Sequence, residues 1–546
     1  MLIVNAEIDG RPGRAVRIDG GLVTAVGDAA DRTAWRPRPG EEIVDARGGL
    51  LLPGLHDHHI HLLALAALAS STPVGPPAVR DAAGLADALR GAAARAPAGR
   101  WVRAVGYHES VSGSLDRDAL DSIVADVPVR VQHRSGALWI LNSAALTALV
   151  TGHDRRAAGG GTDRTGAAAH GGSSRAGRGG ALPEPSAQRL SAVGLPVDGR
   201  LFRADDRLGR WLAEAGAGGA VDPADLAAVG ALLAAYGVTG VTDATVTTAP
   251  AQVGTLRAAA EDGALPQRLV LTGPPDLTPL GPTSAASTAR PVIRWEPRSP
   301  GPEDSTGSAD SGPARVGFGP VKIVLDDGRP VDLDDLAATV RAARARGRRV
   351  AVHCVTRLQL ALALAAFDAG GGPLPGDRIE HGAVLPPDLV EPVAAAGLTV
   401  VTQPHFLAER GDAYRRDVDA DDLPWLYRGA GLLAAGIPLA AGTDAPFGGA
   451  DPWASMRAAV RRRTASGQVM GPGEVLAPAR ALALYLGDPA DPGGPPRRIV
   501  PGAPADLCLL AEPAAAVLAE LTPGPAVLTL IAGAVAHRAG GPRASG

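Results

Sequence analysis

Short β-rich stretches open the chain. LIVNAEI, AVRIDG, LVTAVG and EEIVDA alternate apolar and polar positions within residues 1–50, and Asp19-Gly20-Gly21 carries a hairpin signal. Residues 505–510 and 526–536 read the same way. Both ends together predict one small β-sandwich domain, residues 1–50 plus 495–546. Between them the pattern changes. Apolar, β-branched runs at 50–61, 238–245, 267–273, 316–325, 348–354, 378–382, 398–405 and 437–446 are mostly separated by helical segments such as PADLAAVGALLAAYG and LDDLAATVRAARARG. Strands alternating with helices imply a parallel sheet. Eight of them predict an α/β fold, a TIM-like (β/α)8 barrel over residues 51–494. Helical patterns at 81–96 and 116–125, a strand at 127–132 and the segment SGALWILNSAAL predict an inserted subdomain at about residues 70–220. Residues 155–185 and 282–312 are Gly/Ser/Ala/Pro-rich with few large apolar side chains, and are expected to be disordered insertions.

Composition narrows the function classes. The chain has 546 residues, 46% hydrophobic, ample for a large core, and a net charge of −4 with both signs interspersed. No basic field invites nucleic acid, and no polybasic segment or long uncharged apolar run invites a membrane. Two cysteines exclude a disulfide framework. The N-terminus lacks the order of a signal peptide, so a cytoplasmic protein is expected. A small-molecule substrate is the expected partner, and a homodimer the expected assembly.

The candidate chemistry lies at strand ends. LLLPGLHDHHIHL runs an apolar strand into His56, His58, His59 and His61. On a regular strand His59 and His61 share one face and His56 and His58 the other. Asp57, taken with His59 and His61, is expected to orient one ring. Further along come Lys322, His353, His381, His405 and Asp444, each at or near the end of a predicted strand. Singly each has a plain reading: a core histidine, an ion-paired lysine, a helix-capping aspartate. With His405 set aside, the four histidines His59, His61, His353 and His381 with Lys322 and Asp444 form an ordered set on one barrel that predicts a metal site. Cys354 and Glu380 are expected to point away from it.

These residues sit in motifs that resemble the amidohydrolase superfamily, specifically its amidohydrolase-3 branch. PGLHDHHIH is similar to that branch's P-G-x-x-D-x-H-x-H, which selects His59 and His61. GPVKIVLDDG, VAVHC, RIEHG and AAGTDAP resemble its later barrel motifs, and PVRVQHRSGALWILNSAAL its substrate-side segment. The resemblance implies a hydrolase of carbon–nitrogen bonds other than peptide bonds, acting on a small amide. It implies two zinc ions bridged by carboxylated Lys322, one held by His59, His61 and Asp444, the other by His353 and His381. The ions would activate a water to hydroxide. Asp444 would be the catalytic base and acid, with His405 a catalytic hydrogen-bond donor and His108, Trp139 and Asn142 on the substrate side. Ala137 replaces a histidine of the pattern, and Cys-Val-Thr-Arg follows His353, so the branch's substrates are not transferred. Two other readings stay open: a mononuclear deaminase on the same fold, and a catalytically inactive scaffold.

Overall fold

The computed structural model describes residues 1–76, 78–97, 99–159, 186–217, 221–277, 293–295, 315–325 and 331–540. The insertion expected at 155–185 lies outside these from residue 160 onward, as does most of 282–312. Residues 155–159, expected to be disordered, instead complete the helix Ser143–Gly159.

The chain divides into two compact units, Met1–Ala64 with Leu226–Gly546, and Leu65–Asp225. In the first unit, eight parallel strands follow one another around a barrel. Barrel strand 1 is Leu55–Ile60, strand 2 Val238–Asp243 and strand 3 Arg268–Gly273. Strands 4, 5 and 6 are Val316–Val324, Val350–Cys354 and Arg378–His381. Strands 7 and 8 are Thr399–Thr402 and Leu439–Ala441. Backbone bonds from Asp444 to His59 O and from His61 to Ala445 O join the last strand's end to the first. Continuous apolar runs suit this setting, because parallel strands are covered on both faces. Local sequence sets the helices between them: Asp332 and Thr356 cap Leu333–Ala345 and Arg357–Ala369 with their side chains.

Two four-stranded sheets lie beside the barrel in the same unit. One is built from Leu2–Ile8, Arg11–Asp19, Leu22–Asp28 and Ile43–Asp45. The other pairs Leu51–Pro53 with the late strands Leu507–Leu509, Leu528–Ile531 and Ala534–Arg538. Ile3, Val16, Val23, Leu51, Leu507 and Leu530 share one buried core.

The second unit holds a five-stranded sheet whose order is Arg200–Phe202, Leu138–Leu141, Val129–His133, Val102–Tyr107, Thr72–Pro73. Alternation puts Val102, Ala104, Val129 and Val131 into a cluster on one face and Trp139, Leu141 and Leu201 into a cluster on the other.

Candidate metal centre

Two backbone irregularities build the site. Along strand 1, Asp57 is opposite Val241 but Ile60 is opposite Asp243, so His58 and His59 together face the single residue Thr242. This bulge breaks the two-residue alternation. His56 and His58 nonetheless keep to each other, ring centroids 4.6 Å apart, as His59 and His61 do at 5.5 Å, the two pairs expected from the sequence. Asp57 turns elsewhere, accepting from the backbone of His59 and from the backbone and hydroxyl of Thr443. Among the described residues no imidazole nitrogen hydrogen-bonds to it. At the end of strand 6, His381 has φ +70°, and Asp444 has φ +50°. Non-glycine residues rarely adopt such angles, and when they do they cluster at functional sites. The reversal at His381 lets consecutive residues serve one pocket. Glu380, expected to point away, is the register partner of His353 and meets His59.

Each of three histidines meets an oxygen with its Nδ1. His59 donates to the Glu380 carboxylate and His381 to Gln403 Oε1 at 2.7 Å, while His61 Nδ1 lies 3.2 Å from the Thr245 hydroxyl, which can accept from it or donate to it. Gln403 is itself oriented by its bond to Val401 O. Fixing Nδ1–H leaves the Nε2 lone pair of a ring available. The Nε2 atoms of His59 and His61 lie 3.5 and 3.1 Å from Asp444 Oδ1. That oxygen is buried and accepts no hydrogen bond among the described residues. Two lone pairs converging on an unpartnered carboxylate oxygen repel unless a cation lies among them. Tetrahedral bonds of about 2.1 Å put neighbouring ligand atoms ~3.4 Å apart, so the spacing fits. His59, His381 and Asp444 offer ligand atoms within 4.8 Å of one another. The His353 and His381 rings are 4.6 Å apart. The donor set present thus fits a divalent metal.

The electrostatics agree. Burial drives His59 down to about 3, with Lys322 adding to the effect, and lowers His381, so both rings are neutral. Burial opposes ionisation of Asp444, and positive charge among the His59, His61 and His381 rings, whether from a proton or from a bound cation, would pull its carboxyl below the usual range. Glu380 is similarly buried, yet Arg378 Nε at 2.6 Å and nearby Lys322 keep it ionised. Lys322 is 5% exposed and its Nζ has no hydrogen-bond partner among the described residues. Burial lowers its pKa, which favours the neutral amine that can react with CO2.

A model of the amidohydrolase family matches residues 42–537. The chain belongs to the amidohydrolase family. N-substituted formamide deformylase of Arthrobacter pascens is 24% identical over 90% of this chain and 89% of its own length. The putative amidohydrolase YtcJ of Bacillus subtilis is 30% identical over 28% of this chain and 30% of its own length. An uncharacterised metal-dependent hydrolase of Pyrococcus horikoshii superposes with a TM-score of 0.64 at 20% identity, covering 94% of this chain and 97% of that one, which shows the shared fold.

Within this amidohydrolase the remaining candidates are placed as follows. His405 begins the helix His405–Asp417 and donates from Nε2 to Thr443 O at 2.9 Å, bracing the residue before Asp444. Asn142 is fully buried; its Oδ1 accepts from Val129 and Ala145, and its Nδ2 donates to Val124 and Val127. These bonds tie the start of the helix Ser143–Gly159 to the start of the strand Val129–His133 and to the segment just before that strand. Trp139 is 5% exposed in an apolar cluster. His108 caps a short helix and lies 6.0 Å, ring to ring, from His133. Cys354 is buried against Gln359 O, as expected. Sequence reading missed Glu380; the available signal was Arg378-x-Glu380, an ion pair two apart on one strand face. Among the described residues no helix is long and apolar enough to cross a membrane.

Proposed function

We propose that the chain is a metal-dependent hydrolase of a non-peptide carbon–nitrogen bond in a small amide. The observation that carries this reading is Asp444 Oδ1, buried and without a hydrogen bond among the described residues, facing the Nε2 atoms of His59 and His61 at 3.5 and 3.1 Å. His59, His61 and Asp444 would hold one zinc ion, His353 and His381 a second, and Lys322, carboxylated, would bridge them. When bound, the ions supply a Lewis acid for the scissile carbonyl and lower the pKa of an attacking water. The chain's own residues do the rest. Asp444, held ionised, takes a proton on its carboxylate and returns it to the leaving nitrogen. Glu380 holds the His59 ring in one tautomer. His405 positions the backbone that carries Asp444. Two buried cysteines that form no disulfide accord with a reducing cytoplasm, and a homodimer completes the proposal.

The test is chelation and metal readdition with an amide panel that includes N-substituted formamides. Hydrolysis lost on chelation and restored by zinc is expected; turnover indifferent to chelation overturns the reading. The mononuclear deaminase is a second reading because Glu380 does reach the pocket. Glu380 is engaged by both Arg378 and His59, however, so it is not poised as a free base. One metal per chain with ammonia release from an aminated ring would favour it.

A further inference from the structure

The sheet of the second unit carries an unusual pair of charges. Arg103 and Arg130 are direct register partners on adjacent parallel strands, so their side chains leave the same face. Like charges placed opposite each other destabilise a sheet. This face is also largely apolar: Arg130 is the register partner of Leu141, and Leu141, Trp139 and Leu201 belong to one buried cluster. The guanidinium carbons of Arg103 and Arg130 lie 5.6 and 5.4 Å from the Trp139 ring. Arg103 is anchored by bonds to Ala67 O and Ser71 Oγ. Arg130 is different. Among the described residues it makes no hydrogen bond or ion pair, and its Nε is buried without a partner. Burial, reinforced by Arg103, pulls its pKa down to about 10, so it stays charged at neutral pH.

Arg130 is half-buried, and a cation drawn partly out of water with its Nε buried and unpartnered costs stability. Stacking on Trp139 offsets only part of that cost, since a cation–π contact gives about 0.5–2 kcal/mol. Two guanidiniums side by side present planar forks suited to oxygen pairs of a carboxylate or phosphate. From this we propose that Arg103 and Arg130, floored by Trp139, form an oxyanion-binding site in the second unit, distinct from the metal centre and independent of the hydrolase reading. The ligand class is a small molecule bearing a phosphate or carboxylate group.

Thermal unfolding of the full chain, titrated with inorganic phosphate or acetate at constant ionic strength set by chloride, tests this. A saturable rise in the melting midpoint with one or both oxyanions is expected, and phosphate alone or acetate alone identifies the group preferred. Arg130→Gln and Arg130→Leu should each weaken that response at least tenfold. Retained metal content and far-UV circular dichroism would establish that the variants fold. Isothermal titration of wild-type protein supplies a readout independent of the variants, with one oxyanion bound per chain through these arginines. A response of equal size in both folded variants overturns the proposal, because it places the anion elsewhere, the metal centre included. Absence of saturable binding in wild-type protein overturns it as well.

Discussion

His59 Nδ1 donates to the carboxylate of Glu380, a residue 321 positions further along the chain. Both groups are buried, and Arg378 holds the other carboxylate oxygen. The relay Arg378–Glu380–His59 fixes which imidazole nitrogen faces Asp444. Outer partners of this kind set metal affinity by tautomer and ring angle. Glu380→Gln keeps the shape but weakens the acceptor and removes the charge. Metal retention against a chelator and the hydrolysis rate should each fall about 10- to 100-fold. Metal affinity unchanged in Glu380→Gln would remove the relay from the site.

Among the described residues Lys322 Nζ has no hydrogen-bond partner, which suits a group that becomes an anion on reaction with CO2. Lys322→Ala should lose bound metal and activity, and short carboxylic acids should restore part of both by replacing the carbamate. Full metal content in Lys322→Ala, measured by elemental analysis, would argue against a bridge.

Asp444 is expected to handle the proton as well as bind metal. Asp444→Asn should lower kcat on the order of 10²- to 10⁴-fold. The fold, followed by circular dichroism, should persist because the backbone bond from Asp444 to His59 O is unaffected.

Asn142 spends every side-chain bond inside the protein. Asn142→Ala leaves buried backbone groups of Val129, Ala145, Val124 and Val127 short of a partner. A stability loss of about 3 kcal/mol is expected in urea unfolding, with KM for the best amide unchanged. A raised KM at unchanged stability would instead make Asn142 a substrate contact.

Burial pushes the Cys508 thiol up to about 12, and Cys354 is equally enclosed. At pH 8 Cys508 stays protonated and both thiols are shielded by burial, so a thiol reagent should label neither in native protein. Both should react in guanidinium, as counted by released chromophore.

The barrel was legible because each strand is a continuous apolar run bounded by turn residues, and helix-forming segments intervene. The ligand motifs were legible because they fall where those runs stop. Regular alternation misled at the site itself. The bulge at His58 and His59 and the left-handed turn at His381 change which side chains share a pocket, and neither has a composition signal. That is why Glu380 was assigned outward and Asp57 inward. Trp139 and Asn142 sit in a motif that resemblance places beside substrate, yet local packing alone accounts for their surroundings. The arginine pair escaped notice because register between residues 103 and 130 cannot be read from spacing.

Leu51–Pro53 leads straight into the strand bearing His56 to His59, and it pairs with Leu507–Leu509 near the far end of the chain. During synthesis, therefore, the segment that feeds the first metal ligands has no edge partner until more than four hundred and fifty further residues have been made. Assembly of the metal pocket is tied to synthesis of the late strands, and a product cut short before them would expose an apolar edge instead of holding a half-built catalyst.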